Sequence, residues 1–160
     1  MLTVKFLTVG KLKERYYADA FAEYRKRLGA YCRFEAEELP EQRLRENPSE
    51  KEISAALEME AADIEKHIPS GAAVCAFCVE GAIKSSEELA AQLQNWGGGG
   101  KSAVCFLIGG SFGLAERVKR RADLNLSVSR MTFPHHLFRV MAAEQVYRAF
   151  TIIEGMKYHK

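Results

Sequence analysis

The chain predicts an α/β fold: a mostly parallel sheet with helices on both faces. Three observations point there. Short apolar runs alternate from end to end with segments of helical spacing. Neighbouring apolar runs are separated by enough chain for a helix, which is the connection that parallel strands need. Several runs also open into glycine turns, most clearly at Cys105-Phe106-Leu107-Ile108-Gly109-Gly110-Ser111-Phe112-Gly113. A strand that ends in glycines lets backbone N–H groups approach a ligand closely, and parallel sheets keep their pockets at that edge.

Taken in order, Leu2 to Val9 is an apolar strand closed by Gly10. Glu14 to Leu28 places Tyr17, Phe21, Tyr24 and Leu28 on one helical face before Gly29. Phe34 to Leu39 is a weaker strand ended by Pro40. Ser49 with Glu52 forms a capping box for a helix to about Lys66, ahead of Pro69. Val74 to Val79 is a buried strand, which Gly81 is expected to end. Ser85 with Glu88 caps a helix that stops at Trp96 and the run Gly97 to Gly100. Ala103 to Ile108 is strand, Leu114 to Arg121 a short basic helix, and Leu124 to Val128 strand. Pro134, tolerated in a first turn, opens a last helix to about Ile153. The loops after the strands, Gly10-Lys11, Glu80 to Ala82, Gly109 to Gly113 and Ser129 to His136, then converge on one edge, the expected pocket.

At 160 residues the chain fits one domain, 1–160, able to bury its own core. Cys32, Cys75, Cys78 and Cys105 lie mostly in apolar runs, the start does not resemble a signal peptide, and no apolar run is long enough for a bilayer. A reducing, cytoplasmic setting is the expectation. With 23 Lys and Arg against 21 Asp and Glu, the net charge of +2 does not announce a nucleic-acid binder by composition. Basic clusters at Lys11, Lys13 and Arg15, at Arg25 to Arg27, and at Arg117 to Arg121 read first as solvated helix faces and favourable charge at helix C-termini, and only second as phosphate contacts; they permit an RNA partner without demanding one.

Gly109-Gly110-Ser111-Phe112-Gly113 matches the G-x-S-x-G nucleophile elbow, and Ser111, Asp123 and His135 follow hydrolase chain order. Asp123 precedes its strand, however, while the other two follow theirs, so a strand of roughly 17 Å would separate them. No G-x-G-x-x-G is present, and Gly97 to Ser102 has Asn95 where a phosphate loop needs its first glycine. Cys75 and Cys78, three apart in a strand, face opposite ways and cannot share a metal; His135 and His136, being adjacent, are poor ligands too. No metal is expected. His135 stays a candidate base because it sits on the pocket edge. Glu144 and Arg148 form an i, i+4 pair in a last helix whose apolar residues spread round its whole circumference, the best hint of a dimer.

Four segments carry a resemblance: Phe106 to Ser111; Leu126-Ser127-Val128-Ser129-Arg130-Met131-Thr132-Phe133-Pro134-His135; Arg139-Val140 with Glu144 to Phe150; and the terminal Tyr158-His159-Lys160. Val9-Gly10-Lys11-Leu12-Lys13 and Tyr24 to Leu28 extend it to essentially the whole chain. In these segments the chain closely resembles the small SPOUT-class methyltransferases, which methylate N3 of a pseudouridine in 23S ribosomal RNA. The resemblance implies a C-terminal trefoil knot over about residues 72–160, a homodimer with its site near the interface, and S-adenosylmethionine as cofactor. By motif, cofactor contacts fall on Phe77, Gly109, Val128, Ser129, Arg130, Met131, Thr132 and Phe133. Catalytic roles fall on His135, Arg139, Tyr158 and His159.

A sulfonium already activates its methyl group, so the protein has to align it and remove the N3 proton. His135 or His159 is suited to take that proton, and Arg139 to steady the anion or hold a phosphate. A last helix of roughly 30 Å carries Tyr158 and His159 away from their own pocket, which suggests service at the partner's site. Glu154 to Lys157 lacks the usual proline, Phe112 is bulkier than expected in its loop, and His136 beside His135 is unusual. The alternative expectation is a ribosome-associated RNA-binding protein of the same fold without catalysis. The mild net charge favours an assembled ribosomal surface over naked RNA.

Overall fold

The structure is a computed structural model describing residues 1–160. In chain order it runs β1 (Thr3–Val9), α1 (Arg15–Leu28), β2 (Arg33–Leu39), α2 (Glu50–His67), β3 (Ala73–Ile83) and α3 (Ser86–Gly98). It continues through β4 (Ala103–Ile108), α4 (Glu116–Arg121), β5 (Leu124–Ser127) and α5 (His135–Ile153). The sheet order is β2-β1-β4-β3-β5, and every pairing is parallel. With α1, α3 and α5 on one face and α2 and α4 on the other, both faces are covered.

Strand periodicity builds the two cores. Val4 and Phe6 of β1, Ala73, Cys75 and Phe77 of β3, and Val104, Phe106 and Ile108 of β4 face α1, α3 and α5. The alternate residues Leu7 and Val9, Val74 and Ala76, and Cys105 and Leu107 pack under α2 and α4. Phe6 stands beside Phe106 in register, its ring also edge-on to Phe34 at 5.1 Å. On α5, Ala142, Ala143 and Ala149 are buried without a long side chain, which lets the helix lie close against α1 and α3. The chain thus covers one face of α5 itself, leaving Leu137, Val140 and Met141 half-exposed.

Both capping boxes form, with the Ser49 and Ser85 hydroxyls accepting the Glu52 and Glu88 N–H groups. Most element bounds move by a residue at most, and three shift in ways that matter. Gly81 does not end β3: the strand pairs Phe77 with Leu126, bulges, and pairs Ala82 with the same Leu126. A Cβ at Gly81 would lie 2.7 Å from the Asn125 backbone, so glycine permits the bulge. α3 runs on through Gly97 and Gly98. α4 begins at Glu116, because Leu114 and Ala115 are drawn into the core beneath α2.

The topology sets the position of the site. Adjacent β3 and β4 send their following helices to opposite faces, α3 to one and α4 to the other. Chain leaving in opposite directions opens a crevice at the C-terminal strand ends, where α/β proteins bind ligands.

Candidate active site

That crevice is a cavity of about 470 Å³, within the size range of cofactor pockets. β3 supplies Phe77 to Glu80, the turn after β4 supplies Gly109 to Leu114, and β5 with its loop supplies Leu126 to Ser129 and Met131 to Phe133. Pro134, His135 and Phe138 close it from α5. The wall is built around aromatic rings: Phe77 stacks on Phe106 at 5.7 Å and meets Phe138 edge-on at 5.0 Å.

The glycine turn explains why a ligand can enter. The Gly113 N–H donates to the Gly110 carbonyl at 3.1 Å, folding the turn back on itself. A Cβ on Gly109 would run into the Gly113 backbone, and Gly113 itself has φ +81. Backbone is therefore bare toward the cavity. The opposite lip is shaped by serines: the Ser127 hydroxyl donates to the Ser129 carbonyl at 2.7 Å, and the Met131 N–H donates to the Ser129 hydroxyl at 3.0 Å. These features fit S-adenosylmethionine: an apolar cleft for a flat purine, and exposed backbone polar groups for its ribose and amino-acid ends. Of the eight residues expected to hold it, seven line the cavity; Arg130 is exposed and stands outside the wall.

The expected catalytic residues do not gather at this one place. His135 lines the cavity; burial and the neighbouring His136, 4.2 Å away ring to ring, hold its pKa below the usual histidine value. It is therefore neutral at neutral pH, the form that accepts a proton. His136 is held by the Glu14 carboxylate at 2.8 Å. Arg139 is 2% exposed and not part of the cavity wall; it donates to Glu38 and to the Gly10 carbonyl. Tyr158 donates to Glu144 at 3.0 Å, with its ring 4.8 Å from that of Tyr147. His159 lies between Arg148 at 3.1 Å and Glu87 at 2.7 Å. The tail thus folds back on α5 and the start of α3, not toward the cavity of its own chain.

Sequence reasoning missed Glu41, whose carboxylate accepts the Ser111 N–H at 2.8 Å and lies over Gly110. The signal was available, since the loop after a parallel β2 must reach the same edge as the others. The hydrolase triad does not assemble. Asp123 accepts the Val74 N–H at 2.7 Å at the far end of the sheet. No group of three or more His, Cys, Asp or Glu side chains is placed to hold a metal ion, and no helix is long and apolar enough to cross a membrane.

The chain is 46% identical over 159 residues to the ribosomal RNA large subunit methyltransferase H of Bacillus pumilus, covering 99% of this chain and 100% of that one. It is 45% identical, with the same coverage, to the protein of that name from Listeria monocytogenes serotype 4a. The fold alone is shared with the tRNA (m1G37) methyltransferase of Aquifex aeolicus, at TM-score 0.55 and 13% identity over 99% of this chain and 73% of that one. A probable methylase family protein from Haemophilus influenzae aligns at TM-score 0.56 and 13% identity over 98% of this chain and 70% of that one. A family model described as predicted SPOUT methyltransferase matches residues 2–159, and to that SPOUT methyltransferase family this chain belongs.

Proposed function

We propose that this chain methylates N3 of a pseudouridine in 23S ribosomal RNA, acting in the cytoplasm on the assembled ribosome as a homodimer. The single observation that carries the reading is the cavity itself: seven of the eight cofactor positions expected by motif meet around one glycine-edged crevice. The large-subunit relatives, matched over their full length, supply the substrate class.

Bound S-adenosylmethionine supplies an electrophilic methyl on a sulfonium. Phe77, Gly109 and the Val128 to Phe133 loop hold it; Arg130, without an ion-pair partner, leaves its guanidinium free for RNA. His135, neutral and at the cavity edge, is the residue that would take the N3 proton when the bound cofactor gives up its methyl group. Arg139 acts at one remove, by fixing the turn after β1. Tyr158 and His159 act in the partner's site. Support comes from the tail's own contacts, with Glu144, Arg148 and Glu87, which leave both residues outside the wall of their own cofactor cavity. Residues 72–160 form the knotted, cofactor-binding part.

The test mixes the protein with labelled S-adenosylmethionine and ribosomes from a strain lacking this activity, then locates the label by mass spectrometry of RNA fragments. Label on one large-subunit pseudouridine is the expected result. Cofactor binding without label sinks the substrate assignment, and no cofactor binding favours the non-catalytic alternative. Mixed dimers of tail-truncated and pocket-mutated subunits regain activity if the tail works across the dimer, and stay inactive if it works at home.

A further inference from the structure

Beside the cofactor cavity lies a second, of about 860 Å³, between the turn after β1 and the segment Pro40 to Arg45 after β2. Ser111, Phe112 and His135 line both. Each of the second cavity's carboxylates is already engaged within the protein: Glu38 by Arg139 and the Leu12 N–H, Glu41 by the Ser111 N–H, and Glu60 by the Gln42 N–H. Three of its cations, Lys11, Lys13 and Arg43, are exposed and have no ion-pair or hydrogen-bond partner. The charged side chains of this cavity that have no partner of their own are thus cationic. At the boundary between the two cavities Phe112 is 48% exposed, an aromatic side chain open to both.

Resting on the rRNA methylation reading, we propose that the second cavity is the track for the RNA strand flanking the target nucleotide, with Phe112 as the platform on which a base stacks. Free cations beside an exposed aromatic ring form the pairing that single-stranded nucleic acid recognises: charge for the phosphates, a π-face for the base. An acidic peptide would use the cations but has no need of the ring. The position of His135 in both walls gives the track its purpose, since a strand laid there brings its next nucleotide to the proton acceptor and the cofactor. Phe112 is then a positioning residue for substrate and not part of the cofactor's hold.

The experiment measures equilibrium binding of the full-length protein to unmodified ribosomes and, separately, to S-adenosylmethionine, together with methyl transfer. Phe112→Ala is expected to weaken ribosome binding by about tenfold, within the range for loss of one stacked base, and to change cofactor affinity far less, because Phe112 only borders the cofactor cavity. Phe112→Trp restores it. Replacing Lys11, Lys13 and Arg43 with Gln lowers the slope of log affinity against log salt by about two, as three lost phosphate contacts on a single strand require. All three are surface changes, and thermal melts confirm folding. The proposal is overturned if Phe112→Ala weakens the cofactor as much as the ribosome, if the variants bind ribosomes like the parent, or if the parent binds none. Failure of the underlying reading looks different: the parent binds ribosomes but transfers no methyl, and the binding data still score the platform.

Discussion

The Arg139 guanidinium on α5 donates to the Glu38 carboxylate at 2.5 Å, tying together residues 101 positions apart. Its second nitrogen donates to the Gly10 carbonyl at 3.0 Å, and Glu38 in turn accepts the Leu12 N–H at 2.8 Å. One buried cation therefore fixes the turn after β1 against the end of β2 and the start of the last helix. Burial pulls the Arg139 pKa below the usual arginine value, while Glu38 opposes the shift.

Removing that cation leaves the Gly10 carbonyl and Glu38 without their partner. Arg139→Ala is expected to lose about 1–3 kcal/mol in urea unfolding at pH 7, the range for an abandoned buried polar group. Arg139→Lys recovers only part of it, because an ammonium lacks the planar fork that reaches both acceptors. A large loss of turnover with unchanged stability and RNA affinity would instead place Arg139 in the chemistry.

The pH dependence follows from His135. Burial and the neighbouring His136 lower its pKa from the usual histidine value, so it stays neutral at neutral pH. Methyl transfer should therefore begin to fall at a lower pH than an ordinary histidine base would set, and His135→Ala should remove this acid limb from the pH–rate profile. Stability has the matching sign. The unfolded histidine binds its proton at a higher pH than the folded one, so this contribution is lost as pH falls from the unfolded pKa toward the folded one. An acid limb that survives in His135→Ala points to another acceptor.

The cysteines report on the cofactor cavity. Burial pushes the Cys32 and Cys105 thiols up to about 12, and Cys75 higher still. Cys78, half-buried, lines the cavity, with a pKa raised by burial and by Glu80. Iodoacetamide at pH 8 should therefore label Cys78 alone, slowly, in the native protein, because the thiolate is the reactive form. Saturating S-adenosylmethionine should protect it. Peptide mapping that finds the same Cys78 rate with and without cofactor would remove the cofactor from this cavity.

How far these features were legible in the sequence depended on how local they are. Ser49 with Glu52 and Ser85 with Glu88 announce their helices because a cap is decided within four residues. The buried run Ala103 to Ile108 announces a central strand for the same reason. Gly81 misled, since a glycine that ends a strand and one that allows a bulge look alike until the Asn125 backbone is seen against it. Arg139 reads as a free cation in sequence and is a buried tie in space, because its partners lie at Gly10 and Glu38. The engagement of Tyr158 and His159 with Glu144, Arg148 and Glu87 was likewise invisible, since it depends on the chain turning back after Ile153.

Two glycines separate cofactor binding from folding. At Gly109 an added Cβ would strike the Gly113 backbone, so Gly109→Ala must open the turn that borders the cavity. The change lies at a strand end outside both cores, so titration calorimetry should show cofactor affinity lowered by about tenfold or more, with a smaller effect on unfolding. At Gly81 an added Cβ would lie 2.7 Å from Asn125 and 2.8 Å from Leu126, both backbone. Gly81→Ala must push β3 from β5 at the bulge, and overpacking of this kind costs about 1–3 kcal/mol. Its loss should therefore appear first in the unfolding midpoint. If Gly109→Ala melts like Gly81→Ala and binds cofactor normally, the turn is a structural joint and the cofactor's backbone contacts lie on the Val128 to Phe133 side alone.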